Sequence, residues 1–135
     1  SIFVREYGGI NPASTGLDRT VTASGSGTAV STGASSAIRD ANELVVCNCS
    51  CLGTDPTLVV GAGFENFASQ TIIALASIHG VEDLTANSIA TQTGLMTAGG
   101  TLPVWDVGLA TFVIAGNKWY SSNLRPRIFA PGIAR

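Results

Sequence analysis

Cys47, Cys49 and Cys51 fall at every second position of LVVCNCSCLG, residues 44–53. Thiols so spaced could bridge, hold a metal or fill a core. A strand turns residues two apart to the same face, so Val45 and the three thiols share one face, and Leu44, Val46, Asn48 and Ser50 the other. Neighbouring thiols on that face lie about 7 Å apart at Cα with parallel Cβ directions, which is poor geometry for a bridge. No other cysteine exists, so an intramolecular disulfide framework is excluded by count. A zinc site needs four ligands, usually from C-x2-C pairs or histidines, and C-x-C-x-C with the lone His79 does not match. The expectation is three core thiols, no metal and no cofactor, since free Cys packs as a small hydrophobe. Unpaired thiols suit assembly in a reducing cytosol better than an oxidising secretory route.

The other chemically able residues form no constellation. Nucleophilic catalysis needs a nucleophile, a base and an orienting group in contact. His79 stands beside Gly80, where a surface or turn-packing role is expected. Glu82 and Asp83 are adjacent and read as a solvated turn pair rather than two opposed catalytic carboxylates. GAGFENF lacks the G-x-G-x-x-G spacing and a following helix, so it does not read as a phosphate loop. No D-x-D-x-D run marks a calcium loop. No catalytic residue is expected. Trp105, Trp119, Tyr120 and Tyr7 could form a platform on which a sugar ring stacks. The competing reading puts Trp105 in the core or rim of the last strand and makes Trp119 and Tyr120 the anchor of the tail.

The elements that would carry these residues read as strands. Gly (16 in all), Ser and Thr recur at short intervals, and no long window shows a 3.6-residue apolar period. SIFVREYG, RTVTASGSGTAVSTG, NELVVCNCSCLG, TLVVGAGFENFA, QTIIALASIHG, NSIATQTGLM and DVGLATFVIAG are the candidates. Turns are placed at Gly53 to Pro56 and at Gly80 to Asn87. QTIIALASIHG is almost continuously apolar and so reads as a strand buried on both faces. One short helix is placed at Ser35 to Asn42. This pattern predicts an all-β antiparallel β-sandwich over residues 1–117, of jelly-roll or Ig-like class.

Residues 118–135 differ. NKWYSSNLRPRIFAPGIAR holds two prolines and apolar side chains in no strand-like alternation, which predicts an extended C-terminal arm lying across the body or a neighbour. Charge divides the same way: seven acids and no Lys or Arg from Asp40 to Asn117, then Lys118, Arg125, Arg127 and Arg135 with no acid. Charged residues are only 12% of the chain and the formal net charge is -2, which argues against nucleic-acid binding. No apolar run approaches the roughly 20 residues of a membrane helix, and the N-terminus lacks the basic and apolar regions of a signal peptide.

The ordered series REYGGI, LDRTVTASGSGTAVSTG, ANELVVCN, GAGFENF and PVWDVGLATFVI resembles a bacterial and phage β-sandwich pattern. Its members are modules of secreted adhesive proteins and of phage fibre or decoration proteins. The resemblance covers about residues 3 to 115 and implies no catalytic residues. Members usually carry further strands before the counterpart of REYGGI, so here a fragment, a neighbouring subunit or the chain's own tail is expected to account for them. The function expected is structural: a capsid decoration (cement) or virion surface subunit, assembled in the host cytoplasm, that forms homo-oligomers. Its arm, through Trp119, Tyr120, Leu124, Arg125, Arg127, Ile128 and Phe129, would dock on itself, a major capsid subunit or a filament subunit. The alternative is a carbohydrate-binding or adhesive module at the cell surface, with a glycan on Trp105, Trp119 and Tyr120.

Overall fold

The computed structural model describes residues 7–10, 16–53, 57–72 and 75–114. It is all-β, with no α-helix among the described residues. The strands are β1 (Leu17–Ala34), β2 (Leu44–Leu52), β3 (Leu58–Val59), β4 (Glu65–Ile72), β5 (Ser77–Thr85) and β6 (Thr93–Phe112). They form one antiparallel sheet in the order β1-β6-β2-β5-β4, and β3 pairs with β6 off that path. The arm, residues 118–135, lies outside the described residues, as do most of SIFVREYG and residues 54–56 of the expected turn.

β2 alternates as a half-buried strand should, with Cys47, Cys49 and Cys51 buried and Asn48, Ser50 and Leu52 exposed. It runs beside β5 and β6 in unbroken register, Cys49 lying opposite Gly80 on one side and Val107 on the other. β6 is longer than the sequence predicted. The end of NSIATQTGLM, from Thr93, and the start of DVGLATFVIAG, to Phe112, read as parts of two strands, belong to a single strand. Its register against β1 jumps between Gly27↔Leu102 and Ala29↔Thr97. Gly99 and Gly100 lie in that stretch and Pro103 just after it, residues that loosen or interrupt a ladder.

The sheet folds over at that point. Cys49 pairs laterally with Val107, yet its Sγ lies 3.3 Å from the Sδ of Met96. Eleven residues of straight strand would separate Met96 from Val107 by roughly 36 Å. The first half of β6 therefore lies back over β2 and β5. Val30, Met96, Ala98 and Leu58 come down onto the three thiols, Ile78, Leu102, Trp105 and Val107 to form the main core cluster. A second cluster joins Ile38, Val45, Ala86 and Leu109. Glycines set how closely the halves approach. A Cβ on Gly94 would strike Cys47 Sγ, and one on Gly80 would lie 2.9 Å from Leu58 Cδ1 and 3.1 Å from Met96 Sδ.

Three sequence expectations are corrected. Ser35 to Asn42 is not a helix: the amides of Ser35, Ile38 and Asn42 donate to the carbonyls of Gln92, Ala90 and Ala86, at 2.8, 3.1 and 2.8 Å. Those donors are satisfied across the chain rather than along it. Gly80 to Asn87 is not a turn, because β5 continues to Thr85. QTIIALASIHG is not one strand. β4 ends at Ile72, Ala76 takes φ 44, and Leu75 is 67% exposed. Continuous hydrophobicity there hid a connection, not a doubly buried strand.

Candidate functional site

On the inner face of the sheet, Cys47 on β2 stands opposite Glu82 on β5. Both side chains are completely buried. Expecting Glu82 and Asp83 to be a solvated turn pair was wrong: they lie in mid-strand and are 0% and 5% exposed. Consecutive strand residues face opposite ways, so the two acids occupy different environments. Glu82 Oε2 accepts the amide of Gly61 at 2.8 Å, while Oε1 is buried with no hydrogen-bond partner. Burial pushes the Glu82 carboxyl up, and hydrogen bonds from the Gly61 and Leu95 backbone and from Cys47 oppose it. The Cys47 thiol is pushed up to about 12, first by burial and then by the nearby Glu82 charge and the hydrogen bond to it. A thiol so held is neutral at physiological pH and is not a nucleophile.

On the outer face, Asp83 Oδ2 accepts the hydroxyl of Tyr7 at 2.7 Å. Farther along the same face the sheet carries a row of small polar residues, set by register: Ser24 opposite Asp106, Asp106 opposite Ser50, Ser50 opposite His79, His79 opposite Gln70. Thr22, Asn48 and Gly108 form the next row. Both rows, Gln70 excepted, line an open depression of about 600 Å³. Ser, His and Asp stand here on adjacent strands, but in the wrong order for a triad. Ser50 separates His79 from Asp106, which are two strand spacings, roughly 10 Å, apart. A triad needs the base between nucleophile and acid. What the depression offers is donors and acceptors for a polar ligand.

Trp105 is 7% exposed and belongs to the main core cluster. Its ring lies across Gly25, where an added Cβ would sit 2.6 Å from Cζ2. Neither face is available to a sugar, so the stacking role considered for Trp105 is withdrawn, and the core reading stands. The other residues assigned to glycan stacking or to the arm, Trp119, Tyr120, Leu124, Arg125, Arg127, Ile128 and Phe129, lie outside the described residues. Cys47, Cys49 and Cys51 are buried free thiols.

Sequence reasoning also missed Glu43, which is completely buried in the loop before β2. Its Oε1 accepts the amides of Arg39 and Asp40 at 3.0 and 3.1 Å. The Arg39 amide also donates to Asp18 Oδ2 at 2.9 Å, and the Arg39 guanidinium approaches Asp18 Oδ1 at 3.1 Å. This network ties the start of β1 to the 37–43 loop. Two arginines neutralise it, and no metal-competent group of three or more His, Cys, Asp or Glu occurs among the described residues. A usable signal for Glu82 was its parity: it alternates with Ile78, Gly80 and Leu84, all inward positions.

Set against known protein families, curated proteins and solved structures, the chain matches none.

Proposed function

We propose that this chain is a non-enzymatic structural subunit of a virion surface, a capsid decoration or cement protein that self-associates and docks through its basic C-terminal arm. The observation that carries the reading is the burial of three unpaired thiols in an all-β fold. Such a protein is compatible with assembly in a reducing cytosol and needs no disulfide. The fold-back of β6 over β2 and β5, seen in the Cys49–Met96 contact, supports a jelly-roll or Ig-like sandwich as its architecture. The charge division supports the docking mode, with an acidic body and a segment from Lys118 onward that carries four bases and no acid. In this reading Leu124, Ile128 and Phe129 insert into a neighbour while Arg125 and Arg127 meet its acids, the residue types that anchor interfaces. Pro126 and Pro131 lower the ordering entropy of the arm.

The test is native mass spectrometry with and without residues 121–135. A discrete oligomer that falls to monomer on removal of the arm, with the melting transition retained, is the expected result. An oligomer indifferent to the arm would overturn the docking mode.

One observation favours a second reading, a binding module of an adhesive protein. The depression lined by Asn48, Ser50, His79 and Asp106 presents polar groups to solvent. With Trp105 buried, a glycan would be held there by hydrogen bonds alone. Binding on a glycan array that is lost in Asn48→Ala and Asp106→Ala would move the function to this reading.

A further inference from the structure

We infer that the free edge of β1 is a surface through which two copies of this chain pair, strand against strand, about a two-fold axis near Thr22. The inference rests on the self-association in the proposed function but is independent of the arm. β1 stands at the end of the strand order, and among the described residues β6 alone pairs with it. Edge strands of soluble proteins are usually short, or carry Lys, Pro or inward charges that forbid pairing. β1 runs from Leu17 to Ala34, and from Thr20 onward it contains no charged residue and no proline. Its protection is a set of irregularities, and these are unevenly placed. Register against β6 shifts between Leu17 and Arg19 and again between Gly25 and Gly27, Gly27 and Ala29, and Ser31 and Ala34. From Arg19 to Gly25 it is unbroken, so that segment is the part able to accept a partner strand. Thr22 is its midpoint.

The occupant follows from charge and burial. A two-fold contact sets each residue near its own symmetry mate, so any charge near the axis would meet its like. A stretch with none can face itself. Pairing centred on Thr22 places Thr22 against the partner's Thr22, Val21 against the partner's Ala23, and Thr20 against the partner's Ser24. On the outer face Thr20, Thr22 and Ser24 are exposed, and Thr and Ser pairs across strands are favourable. On the inner face Val21 and Ala23 pack against the two core clusters but remain only half-buried. A docked strand would cover their open side. Arg19, at the segment's start, already donates to Ala37 O at 3.0 Å and lies beside Asp18, so its charge is held away from the axis.

The test is disulfide trapping in the full chain. Thr22→Cys puts two thiols on the axis at about 5 Å between Cβ atoms, near bridging distance. Mild oxidation should give a covalent dimer on a non-reducing gel, while Thr28→Cys, which lies among the irregularities and six positions from the axis, should stay monomeric. The buried Cys47, Cys49 and Cys51 leave the parent chain uncrosslinked as a baseline. Thr22→Lys should lower the dimer fraction by ten-fold or more in sedimentation velocity, and Thr22→Val should keep it. Equal trapping at positions 22 and 28, or no trapping at 22, would overturn the inference. Trapping at position 22 that survives removal of residues 121–135, with no arm-dependent assembly, would keep this interface and overturn the arm.

Discussion

Cys47 and Glu82 face each other across β2 and β5 with neither side chain exposed to solvent. This pairing sets a carboxyl beside a thiol of the main core, beneath the folded-over half of β6. Its protonation is therefore coupled to stability.

Because burial raises the Glu82 carboxyl above its ordinary value of 4.5, the folded state favours the protonated form. The stabilisation is complete below the unfolded pKa and is lost as pH rises through the folded one. Glu82→Gln stays neutral throughout. The parent's urea midpoint should fall relative to that of the variant as pH rises from 4 to 8, and at pH 7 the variant should be the more stable by about 1 kcal/mol or more. Parallel profiles for the two proteins would show that the carboxyl finds its charge compensated.

The thiols should be silent in the native state. All three are buried, so a maleimide or disulfide reagent at pH 7.5 should label none of them, and should label all three in denaturant. A raised thiol pKa also stabilises below its unfolded value and is lost as pH rises toward the folded one. Alkaline unfolding between pH 9 and 12 should therefore be shallower in Cys47→Ala. Rapid native labelling would mean that the β6 fold-back opens readily.

Gly94 and Cys47 should be energetically coupled. A Cβ on Gly94 meets Cys47 Sγ with no flexible chain end to give way. Gly94→Ala should cost about 1–3 kcal/mol as an overpacking change. Adding Cys47→Ala removes the sulfur, and the double variant should recover part of that loss. A chemical-denaturation cycle showing strict additivity would refute this contact.

Trp105 should behave as a core residue. Trp105→Ala should destabilise by about 3–5 kcal/mol, and Trp105→Phe by less. In a Trp119→Phe background its emission should be blue-shifted and poorly quenched by iodide. Ready quenching would return it to the surface.

The sequence by itself determined the β class, the strand around the thiols, the shared face of Cys47, Cys49 and Cys51, and the division between an acidic body and a basic C-terminal segment. Those features follow from period-two alternation, turn residues and counts of charge, which are local or additive. The tertiary structure decided the rest. Residues of β6 eleven apart reach the same cysteine only because the strand bends at Gly99 to Pro103, and no local pattern specifies where a bend will bring a chain. Glu82 and Glu43 read as surface residues by type and become interior through what packs over them. Leu75 reads as core by type and lies in solvent at a connection. Burial depends on the neighbours that the fold supplies, so side-chain chemistry alone could not assign it.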